Sequence, residues 1–514
     1  MPVYQAGSLN VTSLQAPDLY VIIQPPSVAY INGVPTDGLG LVGVGSWGPV
    51  NAAIQGIGNL AQAQQAIGNV TNRSHDLATA VAVGVQNNVQ NFALVRVTDG
   101  TDLAATATLK DTAATPATGM TLTALYSGTV GNTITANIAA GTAPGTFKLS
   151  VQRQGFTPEV YDNIAGAGAT FWANAVTAVN QGQSGIRGPS QIVVASIGSS
   201  TAAPNIVNSY PLSGGTDGAS GVTDNTLVGT DGLTRTGMYA LRKSGVQVGN
   251  LVDCQTTTTW TAQLAFGLQE GIYFHAANPP GASVATSAAN LATAGIDGYA
   301  MNCLVGDWVY WQDNANGVQR MLSPATFTSA LQAATSPEQS ILNAPMGGVI
   351  ATQRSLQNLP YSDSEIALAA TSRLDVLTLG APGGAYFACR TGRNISSNAS
   401  TNGDNYTRMT NYVAFTIASA YGSVIGKPQT ADLRRSTKSS MDAFFSNLQR
   451  QGMIGNVNAP TKPGWSVEID AANNPFSQVA LGYMQANVAV TYLSIVRYFL
   501  VNVEGGQTVS VTPA

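Results

Sequence analysis

Charge is what this sequence lacks. Lys, Arg, Asp and Glu make up only 9% of the 514 residues, against roughly 25% in an ordinary soluble protein. A nucleic-acid-binding chain would carry a dense stripe of Lys and Arg interleaved with aromatic residues, so the sequence excludes that class of partner. Disorder is excluded as well, because apolar residues reach 44% and the net charge is only −4.

Cysteine, histidine and long apolar runs are also scarce. The three cysteines are odd in number and far apart, which suits a reducing compartment and offers no zinc spacing. No apolar run approaches the ~18 residues of a membrane helix, and the first residues lack the basic-then-apolar order of a secretory signal. We therefore expect a protein made in the cytoplasm, with no metal, no cofactor and no direct membrane insertion.

The motifs that could carry chemistry are better explained by packing. Two G-x-G-x-x-G strings, Gly38–Gly43 and Gly43–Gly48, are followed by Pro49 and a loop instead of a helix N-terminus. The strongest enzymatic alternative is that Cys254 and His275 approach each other across adjacent strands as nucleophile and base. We expect no catalytic residues, with His275 in the core or at a strand end.

The order of the patterns predicts an α/β plus α+β multidomain fold. Strand-like and helix-like segments alternate through much of the chain, which is typical of a doubly wound sheet; among them are a helix at 233–243 and a strand at 299–311. Pro25 and Pro26 are expected to end a first extended segment. The predicted parts are an N-terminal extended arm (1–24), an α/β core (25–100 and 212–380), an inserted β-rich domain (101–211) and a C-terminal α+β domain (381–514).

The C-terminal domain contains an amphipathic helix with a basic face. Thr430 is predicted to cap a helix that runs to Arg450. Its basic residues are Arg434, Arg435 and Lys438. Residues 1–384 carry a net charge of −8 and residues 385–514 a net charge of +4, so this basic helix is a candidate contact for an acidic partner.

The stretch Gly482–Val503 alternates in character with the period of two that an extended strand requires. Fully extended, a segment of this length reaches roughly 70 Å, far beyond an ordinary strand of about five or six residues. An unpaired strand edge exposes backbone N–H and C=O groups. These groups promote aggregation of a monomer, and in a polymer they can link one subunit to the next. The segment is therefore predicted to join one molecule to another.

Several motifs, in their order along the chain, resemble the contractile tail sheath proteins of bacteriophages. These are Leu41–Asn51 (LVGVGSWGPVN), the Gly128–Asn132 turn (GTVGN), Leu212–Gly218 (LSGGTDG) and the helix pair within Tyr406–Gly452 that ends in LQRQG. One departure concerns the N-terminal arm, where Pro17-Asp18-Leu19-Tyr20 replaces the family's Pro-Gly-Val-Tyr. The family carries no catalytic residues.

The resemblance implies a subunit that stacks as six-membered rings around an inner tube. Its inserted domain would face outward, its C-terminal domain would face the tube, and its terminal arms would add strands to neighbouring subunits. The implied partners are other copies of the chain, a tail tube protein, and baseplate and tail terminator proteins, in a virion assembled in the host cytoplasm. Arg434, Arg435 and Lys438 are the predicted tube contacts. The predicted arm residues are Val3, Tyr4, Tyr20, Val21, Tyr492, Ile495, Tyr498 and Val501.

Two other functions remain open at this level. The same fold would serve a bacterial contractile device, such as a secretion system or a tailocin. A surface-array or decoration protein is the alternative from another structural class, because Thr-, Gly- and Ala-rich β-domains occur there too. It would form sheets or plates instead of hollow cylinders.

Overall fold

The computed structural model describes residues 3–6, 20–23, 31–183, 185, 187–206, 209–380, 384–501 and 503. The chain divides into a smaller unit, Met1–Val34 with Met409–Ala514, and a larger unit, Pro35–Arg408. The predicted stop at Pro25 and Pro26 lies outside the described residues. The finer domain boundaries remain predictions.

The N-terminal segment and the first part of the larger unit contain five strands and two helices among the described residues. Two short strands near the N-terminus pair in parallel. They are β1 (Val3–Ala6) and β2 (Tyr20–Ile23). The larger unit then opens with β3 (Gly38–Gly43), β4 (Ala53–Ile57), α1 (Leu60–Ile67), α2 (Leu77–Gln86) and β5 (Asn91–Arg96).

The next segment of the larger unit is rich in strands. It comprises β6 (Thr106–Lys110), β7 (Thr118–Ala124), β8 (Ile134–Ala140), β9 (Phe147–Arg153), β10 (Glu159–Ile164), α3 (Ala169–Gln181), β11 (Val193–Ile197) and β12 (Ser209–Pro211). The strands form two sheets, in the orders β10-β9-β8-β12 and β11-β7-β6. Phe171 and Trp172 of α3 are fully buried in the core that this segment builds.

Strands and helices then alternate to the end of the larger unit. The first group is α4 (Asp224–Val228), β13 (Val248–Leu251), α5 (Trp260–Glu270), β14 (Tyr273–Ala277), α6 (Val284–Ala294) and β15 (Met301–Leu304). The second group is β16 (Val309–Asp313), β17 (Val318–Leu322), α7 (Pro324–Ala334), β18 (Ala351–Thr352), α8 (Gln353–Leu356), α9 (Asp363–Thr371), β19 (Leu377–Leu379) and β20 (Phe387–Cys389).

The C-terminal part of the smaller unit is helical with one short sheet among its described residues. Its elements are α10 (Asp404–Tyr421), whose first five residues belong to the larger unit, α11 (Ala431–Arg450), β21 (Trp465–Glu468), α12 (Phe476–Val479) and β22 (Asn487–Val490). Thr430 caps α11 by accepting a hydrogen bond from the Leu433 amide. The predicted cap and the predicted end of this helix at Arg450 are confirmed.

The central sheet of the larger unit has the strand order β15-β14-β13-β3-β5-β4. All neighbours in it are parallel except β4, which runs antiparallel at the edge. Successive residues of β3 point to opposite faces, and each face has its own core. Leu39 and Leu41 pack with α2 and α7 on one face, whereas Val42 packs with α5 and α6 on the other. The sheet is therefore covered on both sides.

The glycine strings are explained by close packing. A Cβ atom on Gly43 would lie only 2.4 Å from the carbonyl oxygen of His75. That same carbonyl accepts a hydrogen bond from the Val44 amide, so the strand and the loop must meet at backbone distance. The expectation of glycines packed in a strand and turn, with no phosphate site, matches this geometry.

Two predicted elements are wrong. The helix expected at 233–243 is only a short 3-10 turn at Gly237–Leu241, because Gly237 adopts φ +58° and cannot continue an α-helix. The strand expected at 299–311 is two strands, β15 and β16, in separate sheets. They are separated at Gly306, where a Cβ atom would lie 2.1 Å from the carbonyl of Pro279.

Asp217 joins the β-rich segment to the central sheet. Its carboxylate accepts hydrogen bonds from Ser46 Oγ (2.9 Å), Arg73 Nη1 (2.6 Å) and the Thr129 amide (2.6 Å). Burial alone would raise the pKa of Asp217, but the hydrogen bonds from Thr129 and Ser46 and the charge of Arg73 hold it below its ordinary value. Nearby, the fully buried Arg96 donates to the carbonyls of Gly48, Ser127 and Asp217.

Asp217→Asn should lower the free energy of unfolding by roughly 2 kcal/mol, because hydrogen bonds to a charged group contribute about 1.5–3 kcal/mol. The measurement is the urea midpoint of the full chain. Asp231→Asn is the matched control, since Asp231 also binds an arginine but is 40% exposed, and such a pair contributes about 0–1 kcal/mol. Equal shifts in the two variants would show that Asp217 is not a junction residue.

Candidate functional site

The smaller unit has its own hydrophobic core between α10, α11 and the β21–β22 sheet. Its buried residues are Met409, Tyr412, Val413, Met441, Phe444, Phe445, Leu448, Ile454, Val467 and Ile469. Val488, Val490 and Tyr492 pack against this core and are partly buried. One face of the sheet therefore covers the helices, while Ser466, Glu468, Asn487 and Ala489 are exposed.

One edge of β22 has no partner strand among the described residues. β22 pairs antiparallel with β21 alone, Val490 opposite Trp465 and Val488 opposite Val467. Just beyond, the Thr491 amide donates to the Gly464 carbonyl at 2.7 Å. Because hydrogen-bonded pairs alternate along an antiparallel ladder, the N–H and C=O groups of Val488 and Val490 point away from β21. We call this row of backbone groups the free edge of β22.

The predicted strand over 482–503 is mostly absent. Only Asn487–Val490 is a strand, and Tyr492 adds a single bridge to Ile454. Beyond Tyr492 the described residues form neither helix nor strand. A strand needs a partner along its whole length, and β21 supplies only four residues.

Residues 493–503, which we call the C-terminal tail, expose an unusual amount of apolar surface. Tyr498 is 78% exposed, Phe499 84% and Leu500 88%. Val496, Val501 and Val503 are also more than half exposed. Large apolar side chains clustered in the open mark an interaction surface.

The predicted arm residues of the C-terminus fall into two groups. Tyr492 is half-buried, and its hydroxyl accepts a hydrogen bond from Thr410 Oγ1 at 3.3 Å. Ile495 is also half-buried, whereas Tyr498 and Val501 are exposed. Tyr492 thus binds its own unit, and the exposed members of the predicted set, Tyr498 and Val501, lie beyond it. Their role between subunits stays a prediction.

The predicted arm residues of the N-terminus lie on the β1–β2 pair. Val3 is opposite Tyr20 and Tyr4 is opposite Val21 in a parallel register. Among the described residues these two strands form a sheet of their own. Two strands without further neighbours are marginal in water, so this pair also has edges that could accept another strand.

The three basic residues of α11 lie near its N-terminal end. Arg435 and Lys438 are exposed and Arg434 is half-buried. Arg435 forms an ion pair of 3.1 Å with Asp432, but both side chains are more than three-quarters exposed, so solvent screens the pair. The side-chain amide of Gln429 bridges two groups when its oxygen and nitrogen are exchanged. Its oxygen then accepts a hydrogen bond from Arg434, and its nitrogen donates one to the carbonyl of Tyr483. The structure thus connects this basic turn to the segment after α12.

Sequence reasoning missed three exposed apolar residues of this unit. Ile425 is 87% exposed, and Leu481 and Tyr483 are both more than half exposed. Ile425 stands between glycines in the loop after α10, so an apolar residue in a helix-ending turn was the available signal. Leu481 and Tyr483 lie in the segment that Gln429 connects to Arg434.

Cys254 and His275 do not form a catalytic pair. The sulfur of Cys254 lies 3.4 Å from Thr259 Oγ1, whereas His275 Nδ1 lies 3.0 Å from Thr328 Oγ1 of α7. Burial raises the pKa of Cys254 to about 12 and lowers the pKa of His275 to about 3. The enzymatic alternative is wrong, because Cys254 packs in the core of one sheet face and His275 binds a helix on the other. His275 is buried in the core, as expected.

The larger unit has an open cleft of about 810 Å³ at the carboxyl ends of β3 and β13. Its two arginines already have acidic partners: Arg73 binds Asp76 and Asp217, and Arg320 binds Asp313. In the part of the chain that the structure describes, no three His, Cys, Asp or Glu side chains group as metal ligands would. Nor does a helix among those residues have the length and apolar character to cross a membrane.

Comparisons with known proteins agree with the sequence resemblance. Residues 396–505 match the family described as the phage tail sheath C-terminal domain. No curated protein matches the chain in sequence. The matched segment contains α10, α11 and the β21–β22 sheet, and therefore most of the surface described above.

Solved structures extend the likeness to nearly the whole chain. The sheath tail protein of Listeria innocua has a TM-score of 0.59 at 16% identity, covering 86% of this chain and 90% of its own. That of Desulfitobacterium hafniense has a TM-score of 0.55 at 17% identity, covering 88% and 93%. The contracted PVC sheath of an extracellular contractile injection system has a TM-score of 0.55 at 10% identity, covering 97% and 99%.

These structures define the fold as that of tail sheath proteins, a mixed α/β multidomain architecture. The resemblance to the contractile tail sheath family is confirmed, and residues 396–505 are similar to the C-terminal domain of that family.

Proposed function

We propose that this chain is the structural subunit of a contractile sheath, which polymerises as stacked six-membered rings around a tube. The observation that supports this most is the pairing of two unsatisfied features in one unit: a free strand edge on β22 and an exposed apolar tail that follows it. Each subunit would accept a strand from one neighbour and donate a strand to another.

The free edge of β22 sets the strength of such a joint. Val488 and Val490 offer two N–H and two C=O groups, enough for about four interchain hydrogen bonds of about 1 kcal/mol each. Fully burying an apolar side chain of the tail adds roughly 1.5–3 kcal/mol. Linked subunits could then turn as rigid bodies without separating.

Contraction would then be a repacking of the outer surfaces of the subunits. The strands that the chain termini add to neighbouring subunits would stay in place. A surface with few charges suits this step, because moving neutral hydroxyls and small apolar groups out of water costs less than moving ions. The contraction would drive the tube through the host cell envelope for genome ejection. The β-rich segment is proposed to face outward, as the resemblance implies.

The tube is the proposed partner of the basic turn on α11. Arg434, Arg435 and Lys438 would attract an acidic tube surface strongly enough to template assembly and weakly enough, under salt screening, to release it. Baseplate and tail terminator proteins are the proposed partners at the two ends of the sheath. Assembly in the host cytoplasm and a place in the virion complete the proposal.

A bacterial contractile injection device is the second candidate for the same subunit. The structural match with the contracted PVC sheath covers 99% of that chain and 97% of this one. The molecular role of the subunit would be the same. Genes for capsid proteins beside this one would favour the phage.

Ending the chain at Tyr492 should abolish polymerisation and leave a folded, soluble subunit, because no described residue beyond Tyr492 belongs to the hydrophobic core of its unit. Electron microscopy of purified protein, with circular dichroism as the check on folding, measures both. The matched control ends at Val503 and keeps the exposed apolar residues, so it should still form cylinders. Cylinders from both chains would contradict the role of the tail, and flat arrays would favour a surface-array protein.

Val488→Pro should raise the protein concentration needed for assembly about fivefold to tenfold, because it deletes one outward N–H worth about 1 kcal/mol and crowds the free edge of β22. Light scattering over a concentration series gives this threshold. Val488→Ala is the control for the lost packing of the side chain and should assemble close to wild type. If the two variants assemble alike, the free edge of β22 is not where a strand adds.

Reversing Arg434, Arg435 and Lys438 to Glu should weaken assembly on a preformed tube at least tenfold while self-assembly stays within twofold, because the change acts only through the tube. Sedimentation with and without tube measures the two affinities. A control reverses Lys110, Lys148 and Lys243, which carry the same charge elsewhere. Equal loss in both assays would remove the tube contact.

A further inference from the structure

The chain crosses the boundary of the larger unit at two peptide bonds. One joins Val34 to Pro35 and the other joins Arg408 to Met409. We call these two bonds the exits. They are the two covalent connections between the units, so the way in which the larger unit holds its exits matters mechanically.

A single side chain binds at both exits. Arg408, the last residue of the larger unit, is fully buried. Its Nη2 donates to the carbonyl of Thr36 at 2.7 Å, one residue inside the other exit. The guanidinium therefore connects the two places where the chain leaves the larger unit, although 372 positions separate the residues.

The same guanidinium is fixed to the framework by α7. Arg408 Nη1 donates to the Gln332 carbonyl at 2.8 Å, and Nη2 also reaches the Thr335 carbonyl at 3.4 Å. These carbonyls belong to the C-terminal end of α7, where the last carbonyls of a helix lack partners within the helix. A cation at a helix C-terminus is also favoured by the helix dipole. Arg408 thus caps α7 while it holds Thr36.

The backbone at the second exit is held as well. Asp404, one turn before Arg408, accepts hydrogen bonds from Ser340 Oγ (2.8 Å), the Ile341 amide (3.0 Å) and the Asn405 amide (2.8 Å). Burial raises the pKa of Asp404 to about 6 and lowers that of Arg408 to about 10. The negative charge of Asp404 opposes the effect of burial on Arg408 and favours the charged guanidinium.

We propose that Arg408 anchors both exits to one point of the larger unit, so that a pull on either terminal segment is delivered jointly to α7 and to the chain entering β3. A buried guanidinium is expensive to desolvate, and an apolar side chain would fill the space without that penalty. An apolar residue could not form the hydrogen bonds by which Arg408 connects the two exits. In the sheath proposed above, on which this consequence rests, the anchor would carry force from the joined arms to the core.

The test is limited proteolysis of the full chain by proteinase K, with cleavage sites mapped by mass spectrometry. Arg408→Met should raise the rate of cleavage within residues 33–38 at least tenfold, because Thr36 loses its partner. Arg408→Lys keeps the charge but lacks the planar fork, and should give an intermediate increase. It also serves as the second variant if Arg408→Met fails to fold.

Arg96→Met is the matched control. Arg96 is also fully buried and also donates to three carbonyls of the larger unit, but none of them lies at an exit. It should lower the urea midpoint yet change cleavage within residues 33–38 less than twofold. Equal cleavage in the Arg408 and Arg96 variants, or wild-type cleavage in Arg408→Lys, would overturn the anchor. This readout needs no polymer, so it stands apart from a failure to form cylinders.

Discussion

A backbone amide or carbonyl that faces outward from a sheet must find a hydrogen-bond partner, and the smaller unit leaves a row of such groups on β22. Water can satisfy them in an isolated chain. In the proposed assembly, a strand from a second copy would also satisfy them and would bury the apolar tail at the same time. The C-terminal tail is long enough to be that strand, and its described residues pair with no strand of their own unit.

The larger unit contains buried polar networks around two of its residues. Asp217 holds the β-rich segment through three donors, and Arg408 holds the two exits through three carbonyls. Such buried networks resist deformation because breaking one bond leaves an unpaired group in a medium of low dielectric. In the proposed polymer, the larger unit would move as a rigid body. The free edge of β22 in the smaller unit would keep neighbouring subunits linked.

Local sequence patterns predicted many of the helices and strands but none of the long-range hydrogen bonds described above. The helix over Ala431–Arg450 was predictable because its cap, apolar stripe and length agree at short range. The strand over 482–503 was not, because its length depends on a partner strand that the single chain does not supply. Contacts such as Asp217 to Ser46, or Arg408 to Thr36, join residues 171 and 372 positions apart, and no periodicity encodes them. The basic residues of α11 were visible in the sequence, whereas the exposure of Ile425 was signalled only by its place in a helix-ending turn.

The most direct test of the account is a cryo-electron microscopy structure of the assembled polymer at a resolution that traces the C-terminal tail. The account predicts that residues of the tail or of the N-terminal strands from a second copy lie along the free edge of β22, bonded to the backbone of Val488 and Val490. A polymer in which that edge faces solvent and both termini fold back onto their own subunit would contradict it.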